Sequence, residues 1–134
     1  MDISYDIWTG ESIEEIIQTI AEFRIQLFPD NAGVTPILSE ELARLHHYFD
    51  DETVIVVAND CSKFVGYIAL VGISDHHPAL MAYSHFGPDI KVSEGPMVHP
   101  YYRKNGIGQS LIIEALNECE FRDIQYLLID TIIK

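Results

Sequence analysis

Cationic residues are scarce in this chain. Eight lysines and arginines face 21 aspartates and glutamates, for a formal net charge of −13 over 134 residues. A field of that sign repels nucleic acid and anionic lipid and favours cationic partners, so neither a nucleic-acid nor a membrane partner is expected. Cysteine is nearly absent. Cys61 and Cys119 are too few for a disulfide scaffold and have no metal-ligand spacing, which makes a reducing cytoplasm the expected setting. No histidine pair stands at zinc spacing with a third ligand, so no metal is expected. No apolar run approaches the roughly 18 residues of a membrane span, and the segment from Met1 to Ser4 lacks the basic and apolar regions of a signal peptide. Repeats and low-complexity tracts are missing too. What remains is 48% hydrophobic and 22% charged, a globular composition of a length that suits one domain spanning residues 1–134.

The pattern along the chain alternates between two periods. Ile3 to Trp8 alternates as a strand, and Ser12 with Glu15 has capping-box spacing before a helix over residues 12–28 carrying Ile13, Ile16, Ile17, Ile20, Phe23 and Leu27 on one face. A second helix is predicted from a cap near Ser39 through Leu42, Leu45 and Phe49. Thr53 to Ala58 and Phe64 to Ile73 read as a hairpin around Asn59, Asp60, Ser62 and Lys63. Residues 74–89 read as a loop, Ile90 to His99 as a strand, Leu111 to Cys119 as a helix face and Gln125 to Ile133 as a last strand. The fold class is therefore α/β, with a mixed, partly antiparallel central sheet in β-α-α-β-β-β-α-β order.

The strongest local signal is the loop Arg103-Lys104-Asn105-Gly106-Ile107-Gly108-Gln109-Ser110, set between a strand and a helix. Glycines let peptide N–H groups approach an anion, and the open N–H groups and positive dipole end of the following helix point at the same place. The stretch from Gly95 to Ile113 that holds this loop is also the longest without an acid. A plain structural turn leaves the pairing of two cations with two glycines unexplained. A dinucleotide fold accounts for Gly106-x-Gly108 and for Asp130 on the next strand, but Leu111 stands where the third glycine belongs, and the loop lies too late in the chain. A Walker loop fails for want of Gly-Lys-Ser/Thr.

With the upstream Val98-His99-Pro100 and the bulge-forming Gly95-Pro96, the run from Glu94 to Leu116 resembles the GNAT-type N-acetyltransferase superfamily. That resemblance implies an acyl-CoA N-acyltransferase-like fold with acetyl-CoA as co-substrate. It implies that the N–H groups of Arg103, Lys104, Asn105, Gly106, Ile107 and Gly108, with Gln109 and Ser110, hold the CoA pyrophosphate. Main-chain groups of Met97 and Val98 would pair with the pantetheine arm in a slot opened by the bulge, and one such N–H would polarise the thioester carbonyl. Glu94, just before the bulge, is the candidate catalytic base, and His85 and His99 flank the expected acceptor channel as possible proton relays.

Members of the superfamily continue past the last strand with another helix and a strand pair that carries a tyrosine acid. This chain ends at Lys134, so a C-terminally truncated domain, completion by a partner subunit and impaired catalysis all stand as expectations. The implied function is direct acetyl transfer to a primary amine of a small-molecule or peptide acceptor, and the negative charge favours a cationic one. The alternative is a non-catalytic acyl-CoA-binding regulatory module. A third reading is a homodimer built on the edge of the last strand.

Overall fold

The computed structural model describes residues 1–27, 34–72 and 89–129. In order, the chain forms β1 (Ile3–Thr9), α1 (Ile13–Leu27), α2 (Leu38–Tyr48), β2 (Val54–Asp60), β3 (Lys63–Val71), β4 (Ile90–Val98), α3 (Ile107–Phe121) and β5 (Tyr126–Ile129). Single 3-10 turns cover Gly10–Ser12 and Pro100–Tyr102. The strands make one sheet in the order β1-β2-β3-β4-β5. β1 to β4 pair antiparallel and β5 joins β4 in parallel, as the mixed-sheet reading expects. The parallel pair needs a long crossover, which α3 supplies, whereas β2 and β3 are joined by a tight turn. Cys61 takes the left-handed φ of 54° in that turn.

β2 and β3 are apolar on both faces because both faces are covered. Ile55, Val57, Tyr67 and Ala69 pack under α1 and α2, while Val54, Val56, Ala58, Ile68 and Leu70 pack under α3. The helical period supplies the partners: Ile13, Ile16, Ile17, Ile20 and Phe23 from α1, and Ile107, Leu111, Ala115 and Cys119 from α3 are all buried. Each such aliphatic side chain contributes about 1.5–3 kcal/mol on burial. Burial, helped by Glu118, also pushes the Cys119 thiol pKa up, so this cysteine is an inert core residue.

Both helices start within a residue of the expected places, but neither is capped as expected. Ser12 does not cap with Glu15; it sits in the turn before α1, where its Oγ accepts the Thr9 N–H at 3.1 Å and donates to the Thr9 carbonyl at 2.6 Å. Its hydroxyl closes the turn out of β1, and α1 begins one residue later. α2 starts at Leu38, with Ile37 as a cap that makes no side-chain hydrogen bond. Instead Glu41 reaches back to accept the Thr35 N–H at 3.0 Å. The expected loop over 74–89, with His76, His77 and His85, lies outside the described residues except for Asp89, as does Asp130.

Candidate functional site

β4 changes character halfway along its length. Ile90 to Ser93 are buried and pair with Tyr126 to Ile129, whereas Glu94 to Val98 are half-buried and have no β5 partner among the described residues. The change coincides with a bulge. Ala69 faces Glu94 and Tyr67 faces Met97, so Ile68 alone spans Gly95 and Pro96. Proline has no N–H for the ladder, which is why a strand carrying one bulges there. Gly95 lies at φ +95°, and a Cβ on it would stand 2.9 Å from the Met97 nitrogen and 3.0 Å from the Tyr67 oxygen. Gly95→Ala is therefore expected to destabilise the fold by about 1–3 kcal/mol. In Gly108→Ala the new Cβ would lie 3.8 Å from Val98, an ordinary contact, so that change is expected to be tolerated. Urea unfolding ranks the two, and equal loss would contradict the assignment.

Past the bulge, the His99 N–H bonds the Val65 carbonyl on β3 at 2.8 Å. Strand alternation from that bond turns the Val98 N–H and carbonyl to the opposite, open edge. There the Val98 carbonyl accepts from Arg103 Nε at 3.3 Å. Asn105 ties the loop together by donating to the Tyr102 and Arg103 carbonyls, each at 3.2 Å. Lys104 and Gly106 both adopt left-handed backbone, at φ 67° and 76°. Left-handed residues spaced in this way let successive N–H groups turn into one concavity, an arrangement that suits an anion.

Gly106 caps α3 without any side-chain hydrogen bond, and the first turn holds no acid. The opening N–H groups of that helix therefore have no intrahelical acceptor and no competing carboxylate. A Cβ on Gly106 would meet nothing within 4 Å, so the space above the loop is open. These donors fit the pyrophosphate of a CoA molecule: uncharged N–H groups converge from a helix start, with Arg103 and Lys104 beside them.

Glu94 lies at the other end of the open half-strand, 11% exposed at its side chain. Its Oε1 accepts from Arg24 Nη1 at 2.7 Å and from the Tyr67 hydroxyl at 3.1 Å, and Arg44 Nη2 stands 3.7 Å away. Each of these contacts falls on Oε1, which leaves Oε2 clear of donors among the described residues. Arg24 is 2% exposed. Its Nε donates to Glu41 Oε1 at 2.6 Å, and Arg44 reaches the same carboxylate at 3.1 and 3.3 Å. Burial opposes the Arg24 charge, but Tyr67, Glu94 and Glu41 more than offset it, so the guanidinium stays protonated at any accessible pH. Burial, with Glu94 close by, holds the Tyr67 pKa well above the ordinary phenol value. It remains a neutral donor, its ring packed against Phe23 and Phe64.

The sequence reading named Glu94 but missed Arg24, Glu41, Tyr67 and Arg44. A signal existed for two of them. Arg24 falls four residues after Ile20 and three before Leu27, on the apolar stripe of α1, and Glu41 falls four before Leu45 on that of α2. Charges inside apolar stripes require partners.

The remaining candidates are placed as follows. Met97 directs its sulfur at the Arg24–Tyr67 pair, at 3.4 Å from each. The Nδ1 of His99 accepts the Tyr101 N–H at 3.0 Å, so it caps the 3-10 turn. Burial, with Lys63 and Arg103 nearby, pushes its pKa down. Tyr102 donates to Asp60 at 2.8 Å, fixing the loop to the β2–β3 turn. No cluster of His, Cys, Asp or Glu among the described residues is placed to hold a metal ion, and no described helix is long and apolar enough to cross a membrane.

Comparison with known proteins agrees with this geometry. No curated protein matches the sequence significantly. Among solved structures, an aminoglycoside acetyltransferase from an uncultured soil metagenomic sample aligns over 100% of this chain and 82% of its own, with a TM-score of 0.65 at 14% identity. AAC(6')-Iy, solved with the bisubstrate analogue CoA-S-monomethyl-acetylneamine, aligns over the same shares with a TM-score of 0.65 at 15% identity. The ribosomal-protein-alanine N-acetyltransferase of Brucella melitensis biovar Abortus 2308 aligns over 97% of this chain and 80% of its own, at a TM-score of 0.59 and 15% identity. At such identities these likenesses speak for the fold. The profile of the acetyltransferase (GNAT) family matches residues 17–132, nearly the whole sequence. With that match the chain belongs to the GNAT acetyltransferase family.

Proposed function

We propose that this protein is an acetyl-CoA-dependent N-acetyltransferase that transfers the acetyl group directly to a primary amine. The observation that carries this reading is the open half of β4, which runs between an anion-binding loop at one end and a carboxylate with one clear oxygen at the other. Bound acetyl-CoA supplies an acetyl group activated as a thioester. The N–H groups from Lys104 to Gly108, with that of Gln109, hold its pyrophosphate, whereas the expected N–H groups of Arg103 and Ser110 are taken by the Pro100 and Gly106 carbonyls at 3.3 and 2.9 Å. Val98 forms the edge for the pantetheine arm and its outward N–H is the donor for the thioester carbonyl, while the main-chain groups of Met97, one residue earlier, turn inward to β3 instead of to the arm. Glu94 accepts the proton of the attacking amine through Oε2, directly or through water.

The net charge of −13 favours a cationic acceptor. The similar structures include enzymes named for aminoglycosides and for a ribosomal-protein alanine, so a polyamine-like small molecule and a peptide N-terminus are the two acceptor classes to examine. The exposed free thiol of Cys61 suits a reducing, cytoplasmic compartment.

Calorimetric titration with acetyl-CoA tests the binding half of this reading. Arg103→Ala and Lys104→Ala are each expected to weaken binding by roughly two- to fivefold, as exposed charges do. The wild-type affinity should fall with added salt, and less steeply in the double variant. Binding indifferent to both substitutions would contradict the site.

A further inference from the structure

A single guanidinium joins both N-terminal helices to the bulge. Arg24 Nη1 meets three groups that bracket Gly95 and Pro96: Glu94 Oε1 at 2.7 Å before them, Met97 Sδ at 3.4 Å after them, and the Tyr67 hydroxyl at 3.0 Å from the facing strand. The Tyr67 hydroxyl repeats the bracket, reaching Glu94 at 3.1 Å and Met97 at 3.4 Å. On its other side Arg24 is locked by the Glu41 carboxylate, which α2 holds through Arg44 and the Thr35 N–H. The bulge itself has no ladder bond at Pro96 and no β5 neighbour among the described residues, and locally it is held by the Ser93 hydroxyl donating to the Gly95 carbonyl at 3.1 Å. The buried side-chain network beneath it is what ties the bulge to the two N-terminal helices.

We propose that Arg24 is a positioning residue for the pantetheine edge, fixing the bulge so that the Val98 main chain meets the arm of acetyl-CoA, with Tyr67 as its second point of attachment. This rests on the reading of Val98 as that edge. Arg24 touches no substrate in this account; it acts through Glu94 and Met97. Its distance in sequence from the loop makes a specific prediction. The arm should lose its seat when Arg24 changes, while the pyrophosphate keeps its own.

The experiment compares two ligands that share the nucleotide end: acetyl-CoA, and its ADP 3′-phosphate fragment, which lacks the arm. Affinities are measured for wild type, Arg24→Met, Arg24→Lys and Tyr67→Phe, and thermal unfolding checks that each variant is folded. Arg24→Met is expected to weaken acetyl-CoA by about tenfold, the worth of one or two hydrogen bonds, and to leave the fragment within about twofold. Arg24→Lys should recover part of the loss, and Tyr67→Phe should show a smaller selective loss. If Arg24→Met does not fold, the other two variants decide the matter by the same comparison. Equal weakening of both ligands, or of neither, overturns the proposal while leaving the loop assignment intact. A wild-type protein that binds acetyl-CoA no better than the fragment also overturns it, because the arm then has no seat. Failure of wild type to bind either ligand removes the CoA site itself, and this proposal with it.

Discussion

Glu94→Gln is expected to lower kcat by about 10²- to 10⁴-fold, the usual worth of a general base, with little change in acetyl-CoA affinity. The substitution is nearly isosteric, and the anchoring geometry determines how the amide will lie. Arg24 and the Tyr67 hydroxyl both donate to Oε1, so the amide oxygen takes that place and the amino group turns to where Oε2 stood. The side chain then offers the cleft a donor in place of an acceptor. It cannot take a proton from an amine, although the bulge keeps most of its supports. Initial rates at saturating acetyl-CoA, across an amine series, read the effect. Unchanged turnover would remove Glu94 from the chemistry and leave it as the counter-ion of Arg24.

The largest effect on stability is expected from Glu41→Ala. Glu41 is 0% exposed and receives Arg24 Nε, both donors of the Arg44 contact and the Thr35 N–H. Removing one partner of a buried ion pair costs about 3–5 kcal/mol, because the other charge stays behind without its compensation. For a chain of this size that lowers the melting temperature by roughly 10 °C or more. Differential scanning calorimetry reads it, and a loss below about 1 kcal/mol would show that the pair is not the strut described here.

The same group governs acid sensitivity. Burial by itself would raise the Glu41 pKa, but hydrogen bonds from Arg44, Thr35 and Arg24 outweigh it and hold the value below the ordinary 4.5. Its stabilisation is therefore complete above that value and is lost as the pH falls toward and through the folded-state value. The Glu41→Ala protein should lack this part of the acid dependence.

The sheet and the loop were legible in the sequence because both depend on local rules. Alternation, helical period and turn residues set the β-α-α-β-β-β-α-β order. Pro96 beside Gly95 announced the bulge, since a proline cannot serve a ladder, and the run from Arg103 to Ser110 carried its own chemistry. The helix starts fell within a residue of the expected places, but the caps did not form as expected. Ser12 serves Thr9 behind it, and Glu41 serves Thr35.

The network under the bulge was illegible for a different reason. Its members, Arg24, Glu41, Tyr67 and Glu94, come from four separate elements, so no spacing along the chain relates them. Periodicity marks Arg24 and Glu41 as charges on apolar stripes, but only the packing of α1 and α2 over β3 and β4 shows that they meet. Tyr67 left no signal, since a tyrosine in a buried strand is ordinary until its hydroxyl is placed.

Transfer itself is the claim on which the rest depends. The direct measurement incubates the protein with acetyl-CoA carrying an isotopic label in the acetyl group, together with a polyamine, an aminoglycoside and a basic peptide with a free N-terminus. Mass spectrometry follows the label while free CoA thiol is counted. The account predicts that label moves to the nitrogen of at least one of these amines, with one thiol released for each acetyl group transferred, and that Glu94→Gln suppresses both. Tight acetyl-CoA binding with no label on any amine would contradict it and would identify the protein as a CoA-binding module without transferase activity.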